Sequence, residues 1–477
     1  MKVLFCVSEA SFFAKTGGLA DVAEALPLAL EKLGVEVKMV MPKYKTSASP
    51  RRTQSEAEVP FTSFRKDIDL VTIGKNIQVY LIKNDAYFNR PGIYGDAHGD
   101  YPDNLERFSF FCRRLLDLLK EINWQPQVIH THDWQTALVA PYLRDLSSKD
   151  NFYKKIKTIF TIHNLAYQGV FDKEKYPHLG LDEALFTING LEFYHKINLL
   201  KGGVLFSDLL TTVSPTYAKQ IQTKEYGCGL EGVLTQKKNK LFGILNGLDY
   251  QTWNPAQDTY LYKQYSALHL EDKYVNKRML QKESHLPVDD DIALLGMVGR
   301  LSQQKGWDLF AESVDSLLQH THIQIVALGE GELRYQKMLQ EIARKYPHNV
   351  HIQINFDEAL ARKIYAGADM FLMPSHYEPC GLGQMIALAY GAVPIVFKTG
   401  GLADTISKDN GFVFEAYTPK DFVETLTQAL SLYQNKSKWR ALVKKAFTYN
   451  FSWEKSAREY VRLYEKLLHE PFITKTH

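Results

Sequence analysis

Cysteine is scarce in this chain of 477 residues: Cys6, Cys112, Cys228 and Cys380 stand far apart and form no CxxC pair. That spacing gives no readable disulfide framework and no cysteine zinc site, and a reducing compartment fits it best. Long apolar runs are missing as well. No stretch approaches the ~18 residues that a bilayer crossing needs, and the opening MKVLFCVSEA is broken by Ser8 and Glu9 before a signal-peptide core forms. The expectation is a cytoplasmic protein with no membrane partner. Charge of one sign is not in excess either. Lys and Arg number 57 against 54 Asp and Glu, a formal balance of +3 without a basic tail, so no nucleic-acid or anionic-membrane partner is expected. Neither a low-complexity segment nor a solenoid period occurs, and no GxxxxGKS or GxxxxGKT string supports a P-loop nucleotidase.

What is present is ordinary globular material, 45% hydrophobic and 23% charged, in a chain long enough for two or three domains of roughly 150 residues. Short Val, Ile and Leu runs alternate with segments of helical period, the pattern of a parallel sheet covered by helices on both faces. The pattern occurs twice. In the first half, strands are expected at residues 2–7, 35–41, 128–131, 156–161 and 209–213, with a helix at 18–33. In the second, they are expected at 292–299, 323–328, 350–354, 370–373 and 394–397. The turn signal Asn246-Gly247 marks the joint, followed by a polar, irregular stretch to about Asp291, and residues 436–469 read as terminal helices. Two doubly wound α/β domains result.

One heptapeptide, Lys-Thr-Gly-Gly-Leu-Ala-Asp, occurs at 15–21 and again at 398–404, each time after a strand and at the start of a helical segment. Glycines there let backbone N–H groups approach a phosphate or a sugar oxygen at a helix N-terminus. The competing reading is two tight turns that need glycine for positive φ alone. Gly227-Cys228-Gly229-Leu230-Glu231-Gly232 satisfies GxGxxG, but Lys224-Glu225-Tyr226 before it is no strand, so a dinucleotide site is not supported. Arg300 and Lys305 follow the strand ending at Gly299, where a guanidinium fork beside an ammonium suits a diphosphate, or the pair simply forms a solvated basic loop. Glu378, in the loop Ser375–Gly383, could accept hydrogen bonds from sugar hydroxyls or simply face solvent. His130 and His132 share one face of a strand, yet no further metal-ligand set accompanies them. Trp134 could stack on a sugar ring, though a tryptophan in the core is the commoner case.

Taken together, these strings resemble the bacterial glycogen synthase family, ADP-glucose-dependent glucosyltransferases that include plant starch synthases. The resemblance rests on Lys15–Leu19, His132-Asp133-Trp134, Thr161–Gly169, Thr212–Pro215, Gly229–Gly232, Asn246-Gly247, Gly299-Arg300 with Lys305-Gly306, Glu378–Leu382 and Thr399–Leu402. It implies two Rossmann-like doubly wound domains facing a deep cleft, the GT-B type of glycosyltransferase. Residues 1–245 would form the acceptor-side catalytic domain and 246–450 the nucleotide-sugar domain, with a terminal helix at 451–477 packing back on the first. A hinge is implied about Asn246 to Asp249.

By the same resemblance, Lys15, Arg300 and Lys305 hold the donor diphosphate, alongside Gly17 and Gly18, while amides around Thr399, Gly400 and Gly401 cap it. Phe356 takes the adenine-stacking place, where many relatives carry tyrosine. Glu378, with Cys380, Gly381 and Leu382 after it, binds the transferred glucose, and His163 lies against that sugar. Glu9, Asp21, Trp134 and Asn246 lie towards the glucan acceptor. Ile386 stands where related transferases often have a second glutamate, so the ribose contact passes to another group such as Gln384. The implied reaction moves glucose from ADP-glucose to the 4-hydroxyl of an α-1,4-glucan with retained configuration and needs no metal or other cofactor. Rival readings are a sucrose or trehalose-phosphate synthase using another sugar nucleotide, and a catalytically silent glucan-binding scaffold.

Overall fold

Val3, Leu4, Phe5 and Cys6 are almost wholly buried in β1 (Lys2–Cys6), as expected for a central parallel strand covered on both faces. The computed structural model describes residues 1–47, 62–96 and 98–469. It divides into one unit of Met1–Gly247 with the chain from Trp453 onward, and a second of Leu248–Ser452. The expected terminal segment 451–477 therefore runs past the described residues.

In the first unit β1 lies between β2 (Glu36–Pro42) and β8 (Val128–His132), with β9 (Lys157–Ile162), β13 (Leu209–Thr212) and β14 (Leu241–Gly243) beyond β8. On the other side follow β5 (Ile77–Ile82), β4 (Ile68–Ile73) and β3 (Thr62–Arg65), giving the order β14-β13-β9-β8-β1-β2-β5-β4-β3. Pairing is parallel from β14 to β5, and antiparallel where β4 meets β5 and β3 meets β4. The purely parallel reading is corrected at this edge. A hairpin needs only a short turn, here Gly74–Asn76, so it escapes a search for strands alternating with helices.

The pairing places Cys6 beside Thr131 and His132 beside Thr161, so the loops after β1, β8 and β9 leave the sheet at one end. Two two-residue strands, β6 (Gly95–Asp96) and β7 (Gly99–Asp100), pair with each other. A small antiparallel sheet of β10 (Val170–Asp172), β12 (Lys196–Asn198) and β11 (Glu192–Phe193) stands apart. Helix Trp453–His469 packs on helix Gly18–Lys32, and its Tyr464 hydroxyl lies 2.7 Å from His130 Nδ1.

The second unit holds six parallel strands in the order β17-β16-β15-β18-β19-β20. They are β15 (Ala293–Val298), β16 (Ile323–Gly329), β17 (Val350–Ile354), β18 (Met370–Met373), β19 (Val393–Phe397) and β20 (Phe412–Phe414). Leu295, Ile325, Met370 and Ile395 on the sheet and Phe310, Leu339 and Phe422 on helices form one core. The stretch after the joint is not irregular throughout, because helix Glu271–Glu283 lies within it. Its buried residues are Lys273, Asn276, Lys277, Leu280 and Gln281, so its inward face is mostly polar and shows no apolar period. Lys277 Nζ lies 2.8 Å from Asp369 Oδ2 and donates to the carbonyls of Asp290 and Ile292 and to the Tyr433 hydroxyl.

Candidate active site

The first copy of the heptapeptide carries the chain into helix Gly18–Lys32. Glu9 anchors its loop from beneath, since Glu9 is buried and one carboxylate oxygen accepts from Thr16 N at 2.6 Å and Thr16 Oγ1 at 2.7 Å. Burial pushes the Glu9 carboxyl pKa up, and the hydrogen bonds from Thr16 and Gly17 pull it partly back. Glu9 is thus turned inward under the loop. Lys15 is half exposed and its ammonium sits 2.5 Å from Asp21, which also accepts from Ser11 Oγ.

The glycines of the two copies serve different ends. Gly17 is extended at φ −154°, and a Cβ there would meet nothing nearer than Glu9 Oε1 at 3.8 Å, while a Cβ on Gly18 meets nothing within 4 Å. Neither packing nor positive φ requires glycine at these two positions. In the second copy Gly400 has φ +41°, and a Cβ would stand 1.9 Å from Glu378 O; at Gly401 it would stand 2.1 Å from Cys380 O. Gly401 N donates to Glu378 O at 3.0 Å and Thr399 N to Phe397 O at 2.9 Å. These two amides are engaged inside the unit, so the second loop clamps the Glu378 loop instead of presenting them to a ligand.

Glu378 itself is buried, and its Oε2 lies 2.6 Å from Lys305 Nζ and 3.1 Å from Ser375 Oγ. Lys305 closes a turn after β15, and Gly306 behind it, at φ +74°, would collide through a Cβ with Pro374 O at 1.9 Å. The turn is thereby locked against the segment after β18, which brings ammonium and carboxylate together. Arg300 is exposed just past β15, and its carbonyl accepts from Trp307 Nε1. Phe356, past β17, is 82% exposed, an unusual state for a phenyl ring and one that leaves it open to stacking. Cys380 is buried, Gly381 takes φ +76°, and Leu382 precedes helix Gly383–Ala389. Gln384 is wholly buried and its amide nitrogen donates to the carbonyls of Cys380 and Gly381, which ties it to the loop, while its Oε1 has no partner among the described residues.

In the first unit His163 follows β9. Its backbone N–H donates to Asp133 Oδ1 at 2.7 Å, and its Nε2 lies 2.9 Å from His132 Nδ1. Burial lowers the pKa of His163 and of His130 to about 3 and drives His132 down too, so all three rings are neutral near neutrality. Burial raises Asp133 to about 7 against the pull of two backbone donors, His163 and Asn164. Both nitrogens of His130 are hydrogen-bonded, to Tyr464 and Thr161, and His132 engages His163 through Nδ1. Sequence reasoning passed over His132 and Asp133 as partners of His163; the alternation His-x-His followed by Asp was the available signal.

Trp134 is largely buried, edge-on to Phe108 at 5.0 Å and to Phe171 at 5.9 Å, and Gly169 at φ +63° packs so close that a Cβ would meet its ring at 2.5 Å. It forms one wall of a cleft of about 600 Å³ within this unit, whose other walls include Asp100, Tyr101, Tyr167 and Cys228. Tyr167 is 54% exposed, and among the described residues no Lys or Arg lines the cleft. Asn246 is buried, and its Oδ1 has no hydrogen-bond partner among the described residues.

Comparison with known proteins places this geometry in a family. Residues 2–236 match the model of the starch synthase catalytic domain, and residues 279–446 that of group 1 glycosyl transferases. The glycogen synthase of Geotalea uraniireducens is 49% identical over 98% of this chain and 99% of its own length, and that of Thermotoga petrophila is 44% identical with the same coverage. Among solved structures, the catalytic domain of starch synthase IV from Arabidopsis thaliana, bound to ADP and acarbose, superposes with a TM-score of 0.87 at 35% identity over 98% of this chain and 99% of that one. Sucrose-phosphate synthase from Thermosynechococcus elongatus shares the fold alone, at 16% identity and a TM-score of 0.61 over 98% of each chain. With two parallel-sheet α/β units of the GT-B type and relatives matching end to end, the chain belongs to the glycogen synthase family of glycosyltransferases.

Proposed function

We propose that this enzyme transfers glucose from ADP-glucose to the non-reducing 4-hydroxyl of an α-1,4-glucan with retained configuration, releasing ADP, as a step of cytoplasmic glycogen biosynthesis. The observation that carries the donor half is the contact between Lys305 and Glu378 at 2.6 Å, beyond the carboxyl ends of β15 and β18, where ligands of open parallel sheets bind. The carboxylate accepts from glucose hydroxyls, and the ammonium it orients, with Arg300, takes up charge on the diphosphate. Phe356 offers a face to adenine. Lys15 of the first unit serves the same diphosphate, and Gly17 and Gly18 leave room beside it. His163 contacts the transferred sugar.

A nucleoside diphosphate leaves readily, so stabilising charge at the phosphates matters more than a general acid. Retention follows if ADP departs and the acceptor attacks on one face, the leaving phosphate oxygen accepting the acceptor's proton. The acceptor half rests on the 600 Å³ cleft beside Trp134. Among the described residues, a lining of aromatic rings and one carboxylate without a cation suits a neutral polyhydroxylated chain and not a nucleotide. Asp21 and Asn246 belong to the same side.

Incubation with ADP-glucose or UDP-glucose plus maltooligosaccharide, followed by chain-length and linkage analysis, tests the reading. Lengthening by α-1,4 units with ADP-glucose is expected. A β-linked product eliminates the one-face mechanism, and no ADP release with glycogen present would leave a glucan-binding scaffold.

A further inference from the structure

The paired imidazoles of His132 and His163 carry one consequence for the sugar site. A neutral imidazole has a single N–H, so the 2.9 Å contact between His132 Nδ1 and His163 Nε2 uses a proton from one ring or the other. Suppose His163 donates from Nε2. His132 must then hold its own proton on Nε2, which is buried and has no hydrogen-bond partner among the described residues. Suppose instead that His132 donates from Nδ1. Its Nε2 is then a bare lone pair, and the proton of His163 sits on Nδ1. Buried N–H groups left without an acceptor are rarer than buried acceptors left without a donor, which selects the second arrangement.

The surroundings hold His132 in that role. Its ring lies against Phe5 at 4.3 Å and His130 at 4.2 Å. Its backbone is clamped by Thr136, whose Oγ1 accepts from His132 N and donates to His132 O. The other ring nitrogen of His163, Nδ1, has no protein partner among the described residues, and His163 is only half-buried.

We propose that His132 is a positioning residue that fixes His163 as the Nδ1–H tautomer, so that His163 offers a hydrogen-bond donor, not a base, to an oxygen of the transferred sugar. This rests on the reading that His163 contacts that sugar. The tautomer itself does not.

Histidine labelled with 15N separates protonated from bare ring nitrogens by two-bond 1H–15N correlation, and the His163 signals are assigned by their loss in His163→Asn. In the unmodified protein, Nδ1 protonated and Nε2 bare is expected. His132→Phe removes the donor and should shift His163 towards the Nε2–H form, lowering kcat roughly 10- to 100-fold, by analogy with the loss of a partner that orients a metal-binding histidine, with KM for the glucan unchanged. His132→Asn places an amide N–H where Nδ1–H stood and should restore the tautomer and most of the turnover. Thermal unfolding checks that both variants fold. A protonated Nε2 on His163 in the unmodified protein overturns the assignment. A tautomer shift in His132→Phe with kcat changed less than twofold overturns the positioning role. A chain that extends no glucan with any sugar nucleotide refutes the proposed function, while the spectra still decide the tautomer.

Discussion

Asp133 sits at φ +55° with its carboxylate under the His163 loop, and its environment couples stability to pH. With its folded pKa raised to about 7, the native state holds a proton that the unfolded chain releases, so this residue's stabilisation is lost as pH rises towards 7. The histidines act oppositely. His130 and His163, depressed to about 3, and His132 beside them bind a proton only on unfolding, so their stabilisation is lost as pH falls from about 6.5. Three histidines outweigh one aspartate, and acid should destabilise the fold. Asp133→Asn keeps an acceptor for His163 N–H and suits positive φ. Denaturant titrations should therefore find it equally or more stable than the parent at pH 8 but losing stability more steeply below pH 6.5. A shallower acid slope would refute the protonated Asp133. None of this is legible in His-Thr-His-Asp as a string, because burial is a property of the packed sheet.

At the level of elements, one repeated heptapeptide performs two tasks. Gly18→Ala places a methyl in open space at the first helical position, where alanine is the better helix former, so stability should hold or rise by up to ~1 kcal/mol. Gly400→Ala meets Glu378 O at 1.9 Å with φ at +41°, and such strain costs about 1–3 kcal/mol. Calorimetry should show the second variant alone losing stability. Its kcat should fall as well, since the displaced backbone belongs to Glu378. Equal behaviour of the two would mean that the copies are equivalent. Helix Glu271–Glu283 makes the complementary point. Periodicity finds elements that bury apolar faces; this one buries Lys273 against the carbonyls of Tyr365 and Ala366, and Lys277 against Asp369, so it read as irregular.

For the whole molecule, the proposed reaction assigns one diphosphate to cations from both units. Replacing Lys15, Arg300 or Lys305 by Ala should each lower turnover about 10²- to 10³-fold, the scale of losing one oxyanion donor. Near-normal steady-state rates in all three would remove the phosphate assignment. The acceptor cleft gives an independent check: Tyr167→Ala should raise KM for maltooligosaccharides several-fold, as loss of about 1 kcal/mol of ring contact implies, with kcat and KM for the donor unchanged. An unaltered acceptor KM would move the glucan elsewhere.

The alternation of apolar strands with helices already specified two parallel-sheet units, because a strand buried on both faces must be apolar along its length. Distinctive strings such as Glu378–Leu382 and Thr161–Gly169 named the family and most of the candidate site. Only tertiary structure decided which of those residues are engaged inside the fold. Glu9 turned inward, Gly401 joined its amide to Glu378, and His132 paired with His163. Such roles depend on contacts between segments far apart in the chain, and local composition carries no record of which buried atom meets which.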